Sequence, residues 1–454
     1  MRDVITRLLC LLPVLGLLAE PAGAQAPLSL QEALERAGRS GYANRIAAGQ
    51  HAAQAGAALA PFRGILPTVR VEGSYLKTTD PLTAFGFTLR QRAVTPTAFA
   101  PAGLNDPDPT GNLMSGVVVE QPLFNADAWL GRAVAAIASR SSGAAEQWTR
   151  AGTAVEVVRA YWGAVLTQEQ VRTLVSALES ARSHLRQAEV MARQGMVTRS
   201  DALLASVKAG EVEAMLLNAE SQTRLARQGL VVLMGDPADT AFSLPDALPQ
   251  PERVRIAGAR VTPGDVAPTT RADVEAADLA LDAAKADARR ATALLLPRLN
   301  GFGRVDWNTP STPFGGRSAW TLGLMLSWTP FAGASDIAEL RGAKGRRESA
   351  RAMAEAAHAQ AALEAFRTRD ALQVALARME IAMRGTAQAA EAHRIVGRKY
   401  DGGLAAVTEL LDAAAIETAS ELGDVAARYD VIVAMAELRK AQGLDLSPLQ
   451  DLEK

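Results

Sequence analysis

The sequence predicts a mainly α-helical protein with a membrane β component, built from internally duplicated long helical hairpins with one β-hairpin in each copy. Three observations predict it. Four segments of the first half return in the same order in the second. Each copy holds a proline-free run of helical period, one over 126–194 and one over 335–400. At 1.5 Å per residue, nearly 70 residues of helix span roughly 100 Å, far more than a globular domain needs. Third, Trp320, Leu322, Leu324, Leu326 and Trp328 alternate with Thr321, Gly323, Met325 and Ser327, the period of a strand.

The elements follow in order. Residues 1–24 read as a signal peptide: Arg2 and Arg7 precede an apolar run, and Ala22-Gly23-Ala24 offers the small residues of a cleavage site. The apolar run is about a dozen residues, short of the roughly 20 of a spanning helix. The single cysteine of the chain, Cys10, lies within it. Arg7-Leu8-Leu9 is a poor context for lipidation, and a cysteine-free exported chain suits the periplasm or outer membrane. Ser29-Leu30-Gln31-Glu32 has the form of a capping box opening a helix toward Pro61. Strands are predicted over 66–76 and 113–122, joined through a Pro- and Gly-marked loop.

The helix over 126–194 carries Val155, Val158, Trp162, Val165, Val171, Leu174, Leu178, Ala181 and Leu185 at steps of three and four, a coiled-coil seam. Gly195 ends it, Met196 to Ser200 form a turn, and Ser200-Asp201 are expected to cap a second helix over 200–235. This first repeat is 25–235. Residues 236–270 are proline-rich without helical period and suit either a small extra layer or a linker. The second repeat, 271–442, has strands over 297–307 and 319–329 and helices over 335–400 and 407–442, with a tail over 443–454.

The offsets between copies locate their differences. Phe124 to Phe331 is 207, Tyr161 to Phe366 is 205 and Gly195 to Gly403 is 208, whereas Pro67 to Pro297 is 230. The extra residues of the first copy therefore lie between Pro67 and Phe124, in a larger hairpin tip.

Trp320 to Trp328 cover about 26 Å of strand, the height of the lipid-facing band of an outer-membrane barrel with aromatic rims. Trp307 ends the partner strand, whose charges Arg304 and Asp306 fall on its other face. An ordinary half-buried sheet gives the same alternation. Four strands cannot close a barrel alone, so in a membrane their open edges require other subunits. The net charge of −1, from 48 basic and 49 acidic residues, leaves no footprint for nucleic acid. His51, His184, His358 and His393 stand singly on helical stretches with no metal spacing and read as solvated faces, and no catalytic motif or cofactor-binding loop is present. No cofactor or metal is expected.

ILPTVRVEGSY and LLPRLNGFGRV, EQPLFNADA and SWTPFAGAS, VVRAYWGAVL and ALEAFRTRDAL, and GMVTRSDALLA and GLAAVTELLDA together carry a resemblance to the TolC family of outer-membrane efflux proteins, over essentially all of the mature chain. The resemblance implies a homotrimer with a 12-stranded transmembrane β-barrel, four strands per subunit, continued by a periplasmic α-barrel that is nearly closed at its far end. It implies an outer-membrane exit duct of a tripartite efflux or type I secretion system, a passive conduit in outer-membrane lipid. Its partners would be a periplasmic adaptor and an inner-membrane transporter of RND, ABC or MFS type. Glu409 and Asp412, three apart on one helical face, match the family's acidic entrance residues. They would form two acidic rings, or serve only the helix dipole. Tyr400, Asp201 and Ser200 match latch residues at the Gly195 and Gly403 turns, a Tyr400–Asp201 hydrogen bond being the expected contact, while the family's latch arginine falls on Ala405. Arg199 or Arg398 is the expected substitute. A periplasmic adaptor and a soluble coiled-coil scaffold are the competing readings; neither accounts for a duplicated chain with paired aromatic-edged hairpins.

Overall fold

The computed structural model describes residues 27–261 and 271–453. The predicted signal peptide and Cys10 lie outside the described residues. The chain runs α1 (Leu30–Ser40), α2 (Tyr42–Ala57), β1 (Thr68–Thr78), α3 (Pro81–Arg90), α4 (Pro101–Asn105), β2 (Thr110–Phe124), α5 (Ala126–Arg193), α6 (Arg199–Met234), α7 (Pro251–Val261), α8 (Ala272–Ala293), β3 (Arg298–Thr309), β4 (Ser318–Ser327), α9 (Ser335–Asp401) and α10 (Val407–Ala441). The two longest helices have 68 and 67 residues. Among the described residues no helix is long and apolar enough to cross a membrane.

The four strands form one antiparallel sheet in the order β1-β2-β3-β4, which leaves β1 and β4 as open edges. Every long-helix connection leaves from one end of this sheet: β2 runs into α5, α8 leads into β3, and β4 precedes α9. The opposite end carries only the connections of 79–109 and 310–317. The larger first connection is not a plain loop, since Asp80 caps α3 by accepting a hydrogen bond from the Thr83 amide at 2.8 Å.

From the sheet the helices run as two antiparallel pairs, α5 with α6 and α9 with α10, while α2 and α8 flank the upper part of α5. The predicted seam is the buried face: Val155, Val158, Trp162, Val165, Leu174 and Leu178 are all buried. Midway, Tyr161 and Trp162 stack edge to face with centroids 5.1 Å apart among Leu230, Met234, Leu372, Met379, Ile432, Met435 and Leu438. The Tyr161 hydroxyl bonds to the Leu28 carbonyl at 2.7 Å and to the Glu453 carboxylate, which also accepts from the Leu30 amide at 2.8 Å. Both ends of the described chain are thus fastened to the middle of α5.

Residues 236–261 are a layer rather than a free linker. Leu244, Leu248 and Val254 join the core, and the Glu169 carboxylate ties the layer to α10 by accepting from the Leu248 amide and from Arg428, both at 2.8 Å. Residues 262–270 lie outside the described residues.

Two expectations are corrected. The helix predicted toward Pro61 breaks at Gly41, whose ψ of 133° leaves the helical region, and the break needs glycine because a Cβ there would come within 2.4 Å of the Ala37 carbonyl and 3.0 Å of the Leu233 carbonyl of α6. The N-cap of α6 is Thr198 rather than Ser200, while Asp201 caps as expected, its carboxylate and the Thr198 side chain forming a reciprocal capping box. The duplication also extends further than the motifs showed. Gly235 and Gly443, again 208 apart, end α6 and α10 with φ of 72° and 70°.

Candidate functional site at the helical tips and the membrane sheet

The alternation of β4 becomes, through the register, one continuous face. Val71 lies opposite Val117, Val117 opposite Val305, and Val305 opposite Trp320. Residues directly opposite in an antiparallel sheet share a face, so Val69, Val71, Val117, Val119, Leu299, Val305, Leu322, Leu324 and Leu326 all point the same way. Leu322 and Leu324 are 76% and 70% exposed, which water would penalise and acyl chains would not. Trp307 and Trp320 stand toward the end away from the helices, and Trp328 stands at the helix end, its indole N–H donating to the Leu295 carbonyl at 3.1 Å. Trp307 is not bare, because Phe314 of the hairpin tip stacks on it at 5.5 Å. The other face carries an ion network: Arg304 bonds Asp306 at 2.7 Å and reaches Glu72 at 3.6 Å, and Arg70 reaches Glu120 at 3.6 Å. A sheet with lipid-compatible residues on one side and paired charges on the other suits the wall of a water-filled barrel.

At the far ends of the helices the two turns are built alike. Gly195 and Gly403 have φ of 74° and 70°. Met196 N–H bonds the Met191 carbonyl at 2.9 Å and Leu404 N–H bonds the Lys399 carbonyl at 2.8 Å, the long bond of a Schellman cap in each case. A small core of Ala188, Ala205, Tyr400, Val407, Leu410 and Leu411 joins the two pairs of helices there, with Ala405 packed against it.

The expected Tyr400–Asp201 hydrogen bond is not formed. The Tyr400 hydroxyl is buried without a hydrogen-bond partner. Burial first, and then the charges of Asp201 and Asp401, push its pKa up. Asp201 is engaged in its own turn, accepting from the Thr198 amide at 2.9 Å and the Thr198 hydroxyl at 2.7 Å, which hold its carboxyl below the usual range. Ser200 is likewise turned to Thr198, 2.6 Å between hydroxyl oxygens. The physical reason is proximity: the cap is local, whereas the phenol lies on the other repeat. Neither Arg199 nor Arg398 forms an ion pair among the described residues.

Other groups bridge the repeats. Gln187 Nε2 donates to Asp401 Oδ1 at 2.8 Å. His184 and His393, read from the sequence as separate solvated residues, stack edge to face at 5.5 Å, and His393 Nδ1 lies 2.5 Å from Glu417 Oε2. Burial first, and then the charge of His393, lower the His184 pKa against the opposing charge of Asp401. They line a cavity of about 320 Å³ between the four helices, with Ser180, Lys208, Glu417 and Glu421. Burial and then Glu417 raise the Glu421 carboxyl. The pair is 209 apart in sequence, one from the repeat offset, which was the available signal.

Glu409 and Asp412 are both exposed on the first turns of α10. Lys208 of α6, bonded to Glu211 at 2.9 Å, lies near enough to Asp412 to feel its charge. Among the described residues no cluster of three metal-ligating side chains occurs.

No curated protein matches the sequence. Its architecture is that of solved outer-membrane channels. It superposes on VceC of Vibrio cholerae with a TM-score of 0.74 at 19% identity, covering 91% of this chain and 96% of that one. CmeC of Campylobacter jejuni gives 0.74 at 14% identity, covering 91% and 85%. The open state of MtrE of Neisseria gonorrhoeae gives 0.71 at 17%, covering 92% and 90%. The family profile described as outer membrane efflux protein matches residues 43–236 and 266–444. A duplicated helical shaft, a four-stranded sheet with one lipid-compatible face and this match over most of the sequence agree: the chain belongs to the outer membrane efflux protein family and is an outer-membrane exit duct.

Proposed function

We propose that three copies of this chain close a 12-stranded barrel and that the resulting duct is opened by a periplasmic adaptor coupled to an inner-membrane transporter. The observation that carries this reading is the sheet with its two unpaired edges, β1 and β4. Unpaired backbone groups are not tolerated in lipid, so β4 of one copy must meet β1 of the next. The long paired helices then continue the wall as a shaft whose far end is the pair of Schellman turns.

Glu409 and Asp412 of three copies would ring that end and favour cations in a narrow mouth. Lys208 opposes the ring, so its removal strengthens the field and removal of the acids weakens it. The test is made on detergent-solubilised protein that runs as a trimer, in planar bilayers with a trivalent cation on the periplasmic side. Glu409→Ala with Asp412→Ala weakens the block, and Lys208→Ala tightens it. Unchanged block in both variants removes the acidic ring, and a protein that is monomeric without detergent removes the duct.

A further inference from the structure

A groove of about 830 Å³ runs down the wall between α8 and α9, and the duct reading leaves it unused. Its upper part is lined by Leu281, Lys285, Arg289 and Thr292 of α8 and by Leu340 and Lys344 of α9. The side on which it opens follows from α5. Asp127 of α5 bonds Arg298 at 2.7 Å, and Arg298 shares the strand parity of Arg304, so Asp127 lies on the charged side of the wall. Gly131, one turn on, meets Arg290 of α8: a Cβ there would lie 3.6 Å from Arg290 Cδ. Arg290 bonds Asp287 at 2.8 Å and Glu339 at 3.1 Å, and Arg346 joins both carboxylates. At about 100° per residue, Lys285, Arg289 and Thr292 stand on the opposite side of α8 from Asp287 and Arg290, and Leu340 and Lys344 turn away from Glu339 and Arg346. The groove therefore opens outward, as does the exposed Trp129, which stands opposite Gly131 on α5.

Height decides what meets it. Trp328 donates to the Leu295 carbonyl just beyond the end of α8, so the helix ends mark the membrane boundary. Counted from those ends at 1.5 Å per residue, Arg289, Lys285 and Lys344 lie roughly 6, 12 and 14 Å below it. The first acid lining the groove, Glu348, comes at roughly 20 Å. Above that level every charge on the lining is positive. Arg289 and Lys344 have no ion-pair partner among the described residues, and Lys285 bonds Asp282, outside the lining, at 2.9 Å. The lower Arg347 and Arg351 are already paired, with Glu348 at 2.6 Å and Glu355 at 3.0 Å. Ile337 and Leu340 continue the Lys344 stripe upward, so the groove is apolar at the membrane and basic beneath it.

We infer that this groove holds the phosphate headgroup of an anionic phospholipid from the periplasmic leaflet of the outer membrane, one per subunit. The site rests on the trimeric duct proposed above, whose lumen and membrane boundary fix its side and its height. Basic pockets between helices at a membrane surface take such headgroups. The headgroup layer on one side of a bilayer is roughly 5–8 Å deep. Arg289 stands within it, and the stems of Lys285 and Lys344 reach up toward its lower edge. The acyl chains then lie against Ile337 and the leucine face of the sheet. Position favours a lipid over an acidic protein: the unpaired cations end near the depth of lipid phosphates, and below them each arginine has its own carboxylate.

The test is native mass spectrometry of detergent-purified trimers given dioleoylphosphatidylglycerol or dioleoylphosphatidylcholine at equal concentration. The anionic lipid is retained, up to one per subunit, the choline lipid is not, and inorganic phosphate does not displace the bound lipid. Lys285→Ala, Arg289→Ala and Lys344→Ala together weaken retention roughly a hundredfold, each cation near a membrane surface being worth about a factor of five. Arg347→Ala with Arg351→Ala, lower in the same groove, changes it little. Equal retention of the two lipids overturns the site and leaves the groove to an acidic partner protein. Loss that follows the lower pair instead of the upper three also overturns it, and displacement by inorganic phosphate overturns the lipid as the source of the anion. The same spectra report assembly: monomers would remove the barrel reading, and the outward side of the groove with it.

Discussion

At the scale of single residues, the junction between the repeats rests on groups that titrate. His184 faces Ser180 on its own helix, His393 and Asp401 of α9, Glu417 and Glu421 of α10, and Lys208 and Glu211 of α6 across the shared cavity. Its pKa is lowered in the packed junction, so the packed state prefers the neutral ring. The resulting stabilisation is present above the ordinary imidazole value of about 6.5 and is lost as pH falls through the depressed one. Amide exchange of residues 185–193 and 394–401, corrected for intrinsic rates, should therefore speed up between neutral and mildly acidic pH in the wild type. His184→Asn should flatten that dependence. This pairing was hidden because neither histidine has a neighbour of its kind in sequence; only the repeat register brings positions 209 apart together. The acidic residues were easier to read, since their spacing on one helix is local. The Tyr400–Asp201 bond is absent because Thr198 lies beside Asp201 and satisfies its carboxylate locally, a competition that the pairing of the two turns does not reveal.

At the scale of elements, the four helix ends marked by Gly195, Gly235, Gly403 and Gly443 share one φ but not one environment. A Cβ at Gly195 would meet nothing within 4 Å, whereas one at Gly235 would lie 2.2 Å from the Ser40 carbonyl oxygen. Gly195→Ala should cost only the left-handed conformation, about 1 kcal/mol. Gly235→Ala adds a backbone clash where α6 ends against the α1–α2 break, and should cost at least about 2 kcal/mol more. Thermal melting of the two variants in detergent checks the order; equal shifts would mean that the crossing yields freely. The crossing also explains what was legible. Long helices announce themselves by period and by absence of proline, so α5, α6, α9 and α10 could be read from the chain alone. The break at Gly41 could not, because its close neighbour, the Leu233 carbonyl of α6, lies nearly 200 residues away in sequence. The helix α3 was masked by the prolines and glycines around it, and its anchors, Gln91 to Asn112 and Arg92 to Ser318, are tertiary.

At the scale of the whole molecule, one face of one small sheet decides which solvent the protein lives in. The helical shaft has charged, hydrated surfaces, whereas the face through Val71, Val117, Val305 and Leu324 is apolar across all four strands. Leu324 lies midway between Trp320 and Trp328, and so near the middle of the band they frame. An arginine there should destabilise the inserted barrel by about 2–4 kcal/mol per subunit. Three subunits carry the change together, so the fraction of trimer in the outer membrane should fall sharply. Thr321, three residues away on the other face beside Arg304, is the control: Thr321→Glu points to water, sets a charge opposite Arg304 that it can pair with, and should insert normally. Membrane fractionation followed by trimer detection after mild detergent distinguishes the two. If both charged variants are tolerated, the leucine face does not meet lipid. If neither is, the sheet is covered on both sides, and the barrel wall must be sought elsewhere in the chain.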